Sequence, residues 1–245
     1  MPATTAGRTP APNPADDVTF TRPLAEALTR HALAFTPAAG RRDGPSEGAV
    51  AWVYASVLVA WAEDHGLTGP WLREPAAERR AAYLAGSSDG IRGWLARAVH
   101  DLAAHHPSTW CLLDPRYSRM RETRPPEQAC RDLLDWWASD APSLAYDVET
   151  GPPSISGWVA GDLLQHLSAG RTKGNALVQT PWWVCDLILE KTLRPAAAEF
   201  PDTTLRLVDP ACGTGHFTVR AVDLLWELYT EGVMTPYAVG GAVPE

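Results

Sequence analysis

The sequence has no basic stripe. Its 245 residues carry 21 Lys and Arg against 29 Asp and Glu, a formal net charge of −8, whereas a complete DNA-binding protein ordinarily gathers its cations along one face. Either any basic surface lies elsewhere in a larger protein, or no nucleic acid is bound. Cysteine is scarce, at Cys111, Cys130, Cys185 and Cys212. None of the four forms a Cys-x-x-Cys pair or has a His at zinc-finger spacing, so a structural zinc is excluded and a reduced, cytoplasmic chain is expected. His105-His106 closes an amphipathic helical pattern and reads as a solvated helix terminus rather than a metal pair. A bilayer-spanning run is lacking too: the longest apolar stretch, 49–62, is too short and is flanked by Glu47 and Glu63-Asp64, so it is expected to be a buried helix with no membrane contact. Residues 1–17, rich in Ala, Pro and Thr, have no apolar h-region and read as a disordered tail rather than a signal peptide.

What is present is ordinary globular material, 45% hydrophobic, with an unusual eleven Trp. Most of these fall in helical patterns and are expected to be core anchors with the indole N–H on a partner; the alternative is stacking on nucleobases. A helix is predicted over 23–36, starting at Pro23, and a break over 40–46. Ser46 can cap a long helix carrying Val50, Val53, Tyr54, Val57, Leu58 and Trp61, stopped by Gly66. Further helices are predicted over 75–85, over 88–105 and after Pro125-Pro126. Between the last two lies a mixed segment with Arg116, Arg119, Arg121 and Arg124, read as a solvated basic stretch, with a phosphate contact as the alternative. Residues 141–156 resemble a linker, and 157–168 form a short amphipathic helix. There is no internal repeat.

The character changes after residue 170. Residues 205–208 (Leu-Arg-Leu-Val) are a short apolar run followed by turn residues, a strand signal, and 219–229 is helical again. Between them stands Asp209-Pro210-Ala211-Cys212-Gly213-Thr214-Gly215-His216-Phe217. An acidic residue ends the strand and small residues fill the turn. Glycines there let backbone approach a ligand without a Cβ in the way. The position, at the carboxyl end of a strand and before a helix N-terminus, is where open α/β sheets bind ligands. A phosphate-gripping P-loop is excluded, because no Lys follows Gly215, and a dinucleotide fingerprint lacks its third glycine. An ordinary strand–helix turn is the remaining alternative.

The nine residues resemble motif I of adenine-N6 DNA methyltransferases, the loop that holds S-adenosylmethionine. The resemblance implies that Asp209 faces the methionine amino group, that Gly213 and Gly215 line the cofactor, that Ala211 and Cys212 shape its wall, and that Phe217 packs beside the cofactor or target-base pocket. Pro210 and Thr214 belong to the same loop. About thirty residues upstream, Thr180 is a good N-cap and Pro181 a good first helical residue, leading a helix with Val184, Leu187, Ile188 and Leu193. A Thr-Pro-capped helix before motif I resembles motif X of the same family, whose Thr and nearby backbone contact the methionine end of the cofactor. The order resembles the gamma-type arrangement. Weaker matches over 157–174 and 61–67 resemble type I-like and BREX phage-growth-limitation methyltransferases, and imply a role in restriction–modification or phage defence.

The resemblance also implies a second site, an Asn/Asp-Pro-Pro-Tyr/Phe tetrad that holds a flipped adenine. Arg124-Pro125-Pro126-Glu127 and Gly151-Pro152-Pro153-Ser154 lack its polar and aromatic members, so no catalytic residue is assigned. The expected fold is a mainly α N-terminal domain (18–140), a linker (141–156), and the start of an α/β Rossmann-like S-adenosylmethionine-dependent methyltransferase domain (157–236) with an incomplete sheet, followed by a tail (237–245). The strand over 205–208 is expected to pair weakly or not at all. The expected function is the N-terminal portion of a DNA adenine methyltransferase, inactive alone. DNA is the partner of the parent enzyme, with a complementary methyltransferase chain a further possible partner. Open alternatives are a non-catalytic interaction module, one half of a split enzyme, and a methyltransferase acting on RNA or protein.

Overall fold

The computed structural model describes residues 14–39, 44–145, 157–168, 180–201 and 205–234. Most of the expected linker (146–156), the stretch 169–179 and the tail 237–245 lie outside them. The described residues form eight α-helices and no strand. The chain divides into two compact units, Met1–Asn175 and Ala176–Glu245.

The first unit holds α1 (Pro14–Phe35), α2 (Glu47–Asp64), α3 (Ala77–Gly86), α4 (Gly90–His105), α5 (Glu127–Ser139) and α6 (Gly157–Ser168). Helix α2 is its centre. Ser46 caps it, its hydroxyl accepting from Ala49 N at 3.2 Å, and Gly66 turns the chain away at φ +67°. Eleven of its residues are buried, and Ala51, Tyr54, Leu58 and Trp61 form a half-buried face, because α1, α4 and α6 all pack against it. The end of α1 is tied to the start of α2: Thr36 Oγ1 donates to Ala32 O at 2.8 Å and accepts from Ser46 N at 2.9 Å. Helix α4 buries Ile91, Trp94, Leu95, Ala98, Val99 and Leu102, a helical stripe.

Two expectations are corrected here. Helix α1 begins at Pro14 and runs through Pro23. Proline forfeits one backbone hydrogen bond inside a helix, but Pro23 is exposed while Leu24, Leu28, Ala32 and Phe35 are buried, so the apolar face is uninterrupted. Helix α6, expected to open the second domain, instead packs on α1 and α2 in the first unit, with Leu163 and Leu167 fully buried in its core. The division falls between Asn175 and Ala176.

The connection from α2 to α3 is fixed by two carboxylates that open no helix. Glu63 accepts from Trp71 N, Leu72 N and Arg73 N at 2.5, 2.7 and 3.1 Å. Asp64 holds the Arg73 guanidinium at 2.6 Å and accepts from Leu144 N at 2.6 Å. Arg73 in turn donates to Trp137 O and Pro142 O, both at 2.9 Å. Neighbouring backbone N–H groups that would be orphaned are thereby satisfied.

The described tryptophans differ between the units, although Trp110 of the first is 48% exposed. In the first, Trp52, Trp71, Trp94 and Trp137 are buried, and each indole donates: to Thr123 O, Asp101 Oδ2, Trp71 O and Ser56 Oγ. In the second, Trp182, Trp183 and Trp226 are exposed, against the expectation of core anchors. No group of residues suited to a metal ion occurs among the described residues, and no helix there is long and apolar enough to cross a membrane.

Candidate functional site

The second unit contains α7 (Trp182–Glu199) and α8 (His216–Thr230). Leu189, Leu193 and Ala197 of α7, spaced by four, meet Ala221, Leu224 and Leu228 of α8, and Met234 completes the core. Ion pairs give the direction. Asp186, near the start of α7, pairs with Arg220, near the start of α8. Arg194, further along α7, reaches Glu227 and Glu231 at 3.6 Å each. The helices therefore run parallel, with both N-termini at one end. An 18-residue helix is about 27 Å long, so residues 200–215 carry the chain back over that length before α8 begins.

That return segment contains 205–208, expected as a strand. It carries no regular structure, and Leu207 and Val208 are 46% and 79% exposed. A strand exists through its ladder to a neighbour, and an extended segment without one leaves both edges unpaired. No neighbouring strand is present among the described residues.

The two sequence motifs come to the same end of the helix pair. The loop 209–215 leads straight into α8. Gly213 and Gly215 have φ of +57° and +85°, the left-handed region where a Cβ is strained, and Gly215 N donates to Cys212 O at 2.8 Å to close the turn. The loop is open: a Cβ on Gly215 would meet nothing within 4 Å, and one on Gly213 only Ala211 O at 3.8 Å. Pro210, Ala211 and Cys212 are exposed. Asp209 Oδ1 accepts from Ala211 N at 3.2 Å, while its Oδ2 is buried with no hydrogen-bond partner among the described residues. Buried polar atoms are ordinarily satisfied, so Oδ2 has acceptor capacity that the described residues leave unused. Phe217 is half-buried against the small core.

At the start of α7 the cap differs from expectation by one residue. Pro181, not Thr180, holds the cap position, its carbonyl accepting from Val184 N at 2.9 Å and Cys185 N at 3.2 Å, and no side chain caps the helix. Proline's fixed φ allows the extended backbone (φ −55°, ψ 142°) found there. Thr180 is half-exposed, and its carbonyl faces the Cys185 thiol at 3.9 Å. Burial first, then the carboxylates of Asp186 and Asp209, push that thiol's pKa up, which places α7's first turn within electrostatic reach of the loop.

A buried cysteine beside the loop and the Asp186–Arg220 pair were not singled out from sequence. The pairing depends on the parallel packing of two helices 34 residues apart, for which no local pattern exists.

No family model and no solved structure matches this chain. Among curated proteins, the adenine-specific methyltransferase PglX of Streptomyces coelicolor is 35% identical over 197 residues, covering 74% of this chain and 16% of its own length. The chain thus spans about a sixth of that relative. Identity at this level over most of the chain supports a family relationship to an adenine-specific methyltransferase.

Proposed function

We propose that the chain supplies the S-adenosylmethionine-binding part of an adenine-specific DNA methyltransferase. The observation that carries the reading is the loop 209–215. It has two left-handed glycines, open space around them, and a buried carboxylate oxygen with no donor among the described residues, at the N-terminus of a 15-residue helix. These features fit the amino-acid end of the cofactor. Asp209 Oδ2 would accept from the ammonium group, and the first-turn N–H groups of α8, which have no intrahelical acceptor, would face the carboxylate. Gly213 and Gly215 would let backbone lie against the cofactor, with Pro210, Ala211, Cys212 and Thr214 forming the wall. Thr180 and Pro181 would flank the methionine end, and Phe217 would support the pocket from the core side. The cofactor supplies a methyl group on sulfonium sulfur; these residues bind and orient it. The relationship to an adenine-specific methyltransferase supports a DNA adenine amino group as the acceptor.

The parallel helix–return–helix unit supports a Rossmann-like reading in which 205–208 pairs with strands from further polypeptide. The exposed apolar side chains of the second unit favour such a partner: Trp183, Leu187, Ile188, Val222 and Trp226 are 42–63% exposed. A complementary methyltransferase chain or further sequence of the same protein would cover them. Calorimetric titration with S-adenosylmethionine tests the proposal. Saturable binding that Asp209→Ala combined with Gly213→Val abolishes is expected. Binding that the double substitution leaves unchanged would overturn the assignment, and so would protection of no amide in 209–217 during hydrogen exchange at saturating cofactor.

A further inference from the structure

An open groove of about 840 Å³ lies in the first unit, between α4 and the segment 120–124. Arg92 and Arg97 of α4 line one side, Arg121 and Arg124 the other, and His100 stands among them. Two acids also line it, Asp89 and Asp101. Asp101 is engaged, accepting from Thr68 Oγ1 at 2.9 Å and Trp71 Nε1 at 2.8 Å. In a chain with 29 acids and 21 Lys and Arg, the balance here is reversed.

The four arginines of the segment 116–124 do not share one fate. Arg116 is held by Asp114 at 2.6 Å, and Arg119 by Glu122 at 2.6 Å and Glu47 at 3.9 Å. Arg121 and Arg124 face the groove instead. With Arg97 they have no ion-pair partner among the described residues, whereas Arg92 pairs with Glu127 at 3.1 Å.

Both walls are fixed. Trp52 Nε1 donates to Thr123 O at 3.0 Å, and Gly48 of α2 lies so close that a Cβ there would come within 2.6 Å of Arg119 O. Opposite, Ile91 N and Arg92 N donate to Glu127 Oε2 at 2.8 and 3.2 Å, and Arg92 Nη1 donates to Pro125 O at 3.1 Å. Three guanidinium groups with no ion-pair partner among the described residues line this one groove, a cationic lining suited to a polyanion. Each planar fork suits a phosphate, and the groove is too open to enclose a single small ion.

We propose that this groove seats a stretch of DNA phosphodiester backbone, gripping phosphates without reading bases. The choice of DNA among polyanions rests on the methyltransferase reading; the anion site itself rests on the groove. The test is fluorescence anisotropy of a labelled DNA duplex titrated with the full chain at several salt concentrations. It compares wild type with Arg97→Glu/Arg121→Glu/Arg124→Glu, with the milder triple Gln variant, and with Arg116→Glu/Arg119→Glu outside the groove. Three neutralised phosphates predict a log–log salt slope of about −3. The Glu triple should lose affinity by about tenfold or more at low salt and flatten the slope. The Gln triple should lose less, with its circular dichroism and melting unchanged, and the outside pair should lose least.

Absence of binding at low salt overturns the proposal, as does equal loss in the outside pair. Displacement of DNA by poly-glutamate at equal charge would assign the groove to acidic protein segments and also sink it. Cofactor titration on the same samples separates the two readings. Intact S-adenosylmethionine binding without DNA binding removes only the groove proposal, and the reverse removes only the cofactor site.

Discussion

Arg220 of α8 is ion-paired with Asp186 of α7, and both side chains are only about a quarter exposed, at 23% and 24%. The pair fixes the parallel register that brings the start of α7 beside the loop 209–215. Its worth lies between that of a surface pair and that of a buried one, so Arg220→Ala should cost the second unit about 1–2 kcal/mol. Hydrogen exchange is the measurement: amides of α7 and α8 should exchange faster while those of α1, α2, α4 and α5 keep their protection. Slowing or no change in α7 and α8 would count against the pair as the register lock.

Thiol chemistry should divide the cysteines two and two. Cys111 and Cys212 are exposed, Cys130 and Cys185 buried. Burial, then the Glu127 carboxylate, pushes the Cys130 thiol up to about 12, and Cys185 is raised by burial as well. Since the thiolate is the reactive form, an aromatic disulfide reagent at pH 8 should modify two thiols quickly and the other two only after denaturation. Under the cofactor proposal, S-adenosylmethionine should slow modification of Cys212 and not of Cys111.

Trp137 tests the polar contacts inside the first core. Its ring is 1% exposed, and Nε1 donates to Ser56 Oγ at 3.0 Å, whose hydroxyl donates onward to Val53 O at 2.6 Å. Trp137→Phe removes a buried donor and leaves space, for a combined cost of about 2–4 kcal/mol. Ser56→Ala should cost about 1–3 kcal/mol by leaving the indole N–H unsatisfied. Urea denaturation should show the double variant less destabilised than the sum of the two, because both remove the same hydrogen bond.

Glu63 gives a pH signature. Burial raises its pKa above the ordinary glutamate value, against the lowering influence of the Leu72, Arg73 and Trp71 N–H groups and the Arg73 charge. The folded state therefore holds this proton more tightly than the unfolded chain does. Between the unfolded value and the raised folded one, the folded form binds more protons, so this group's contribution to stability falls as pH rises through that window. Relative to Glu63→Gln, wild type should be favoured most below pH 4.5, lose ground across the window, and level off above it. Denaturation curves of both proteins from pH 4 to 8 check the sign; a difference that grows with pH would contradict it.

Local chemistry made much of the helical unit legible. Ser46 before an apolar run, Gly66 after it and Pro125-Pro126 before α5 act within one turn of the chain, so their effects can be read in place. Pro23 misled because it suits a first helical turn, yet it also fits inside a helix when its ring faces solvent. The second tryptophan group misled in a similar way: a helical period marks Trp183 and Trp226 as facing something, and only the surroundings say whether that something is present. The glycine loop was legible as a loop, since Gly213 and Gly215 permit the positive φ found there. The orphaned Asp209 oxygen and the parallel setting of α7 and α8 were not, since both arise from packing between distant segments. The division of the arginines was only half legible. Asp114 and Glu122 stand beside Arg116 and Arg119 in sequence, but the wall opposite Arg121 and Arg124 is α4.

Burial of most of α2 has a consequence for the chain as it is made. The helix leaves the ribosome before α4 and α6, which follow up to about a hundred residues later, roughly 5–20 s at ordinary rates of synthesis. For that interval an apolar helix stands partly bare, a ready binding stretch for holding chaperones and a point at which slowed translation would turn a folding protein into an aggregating one.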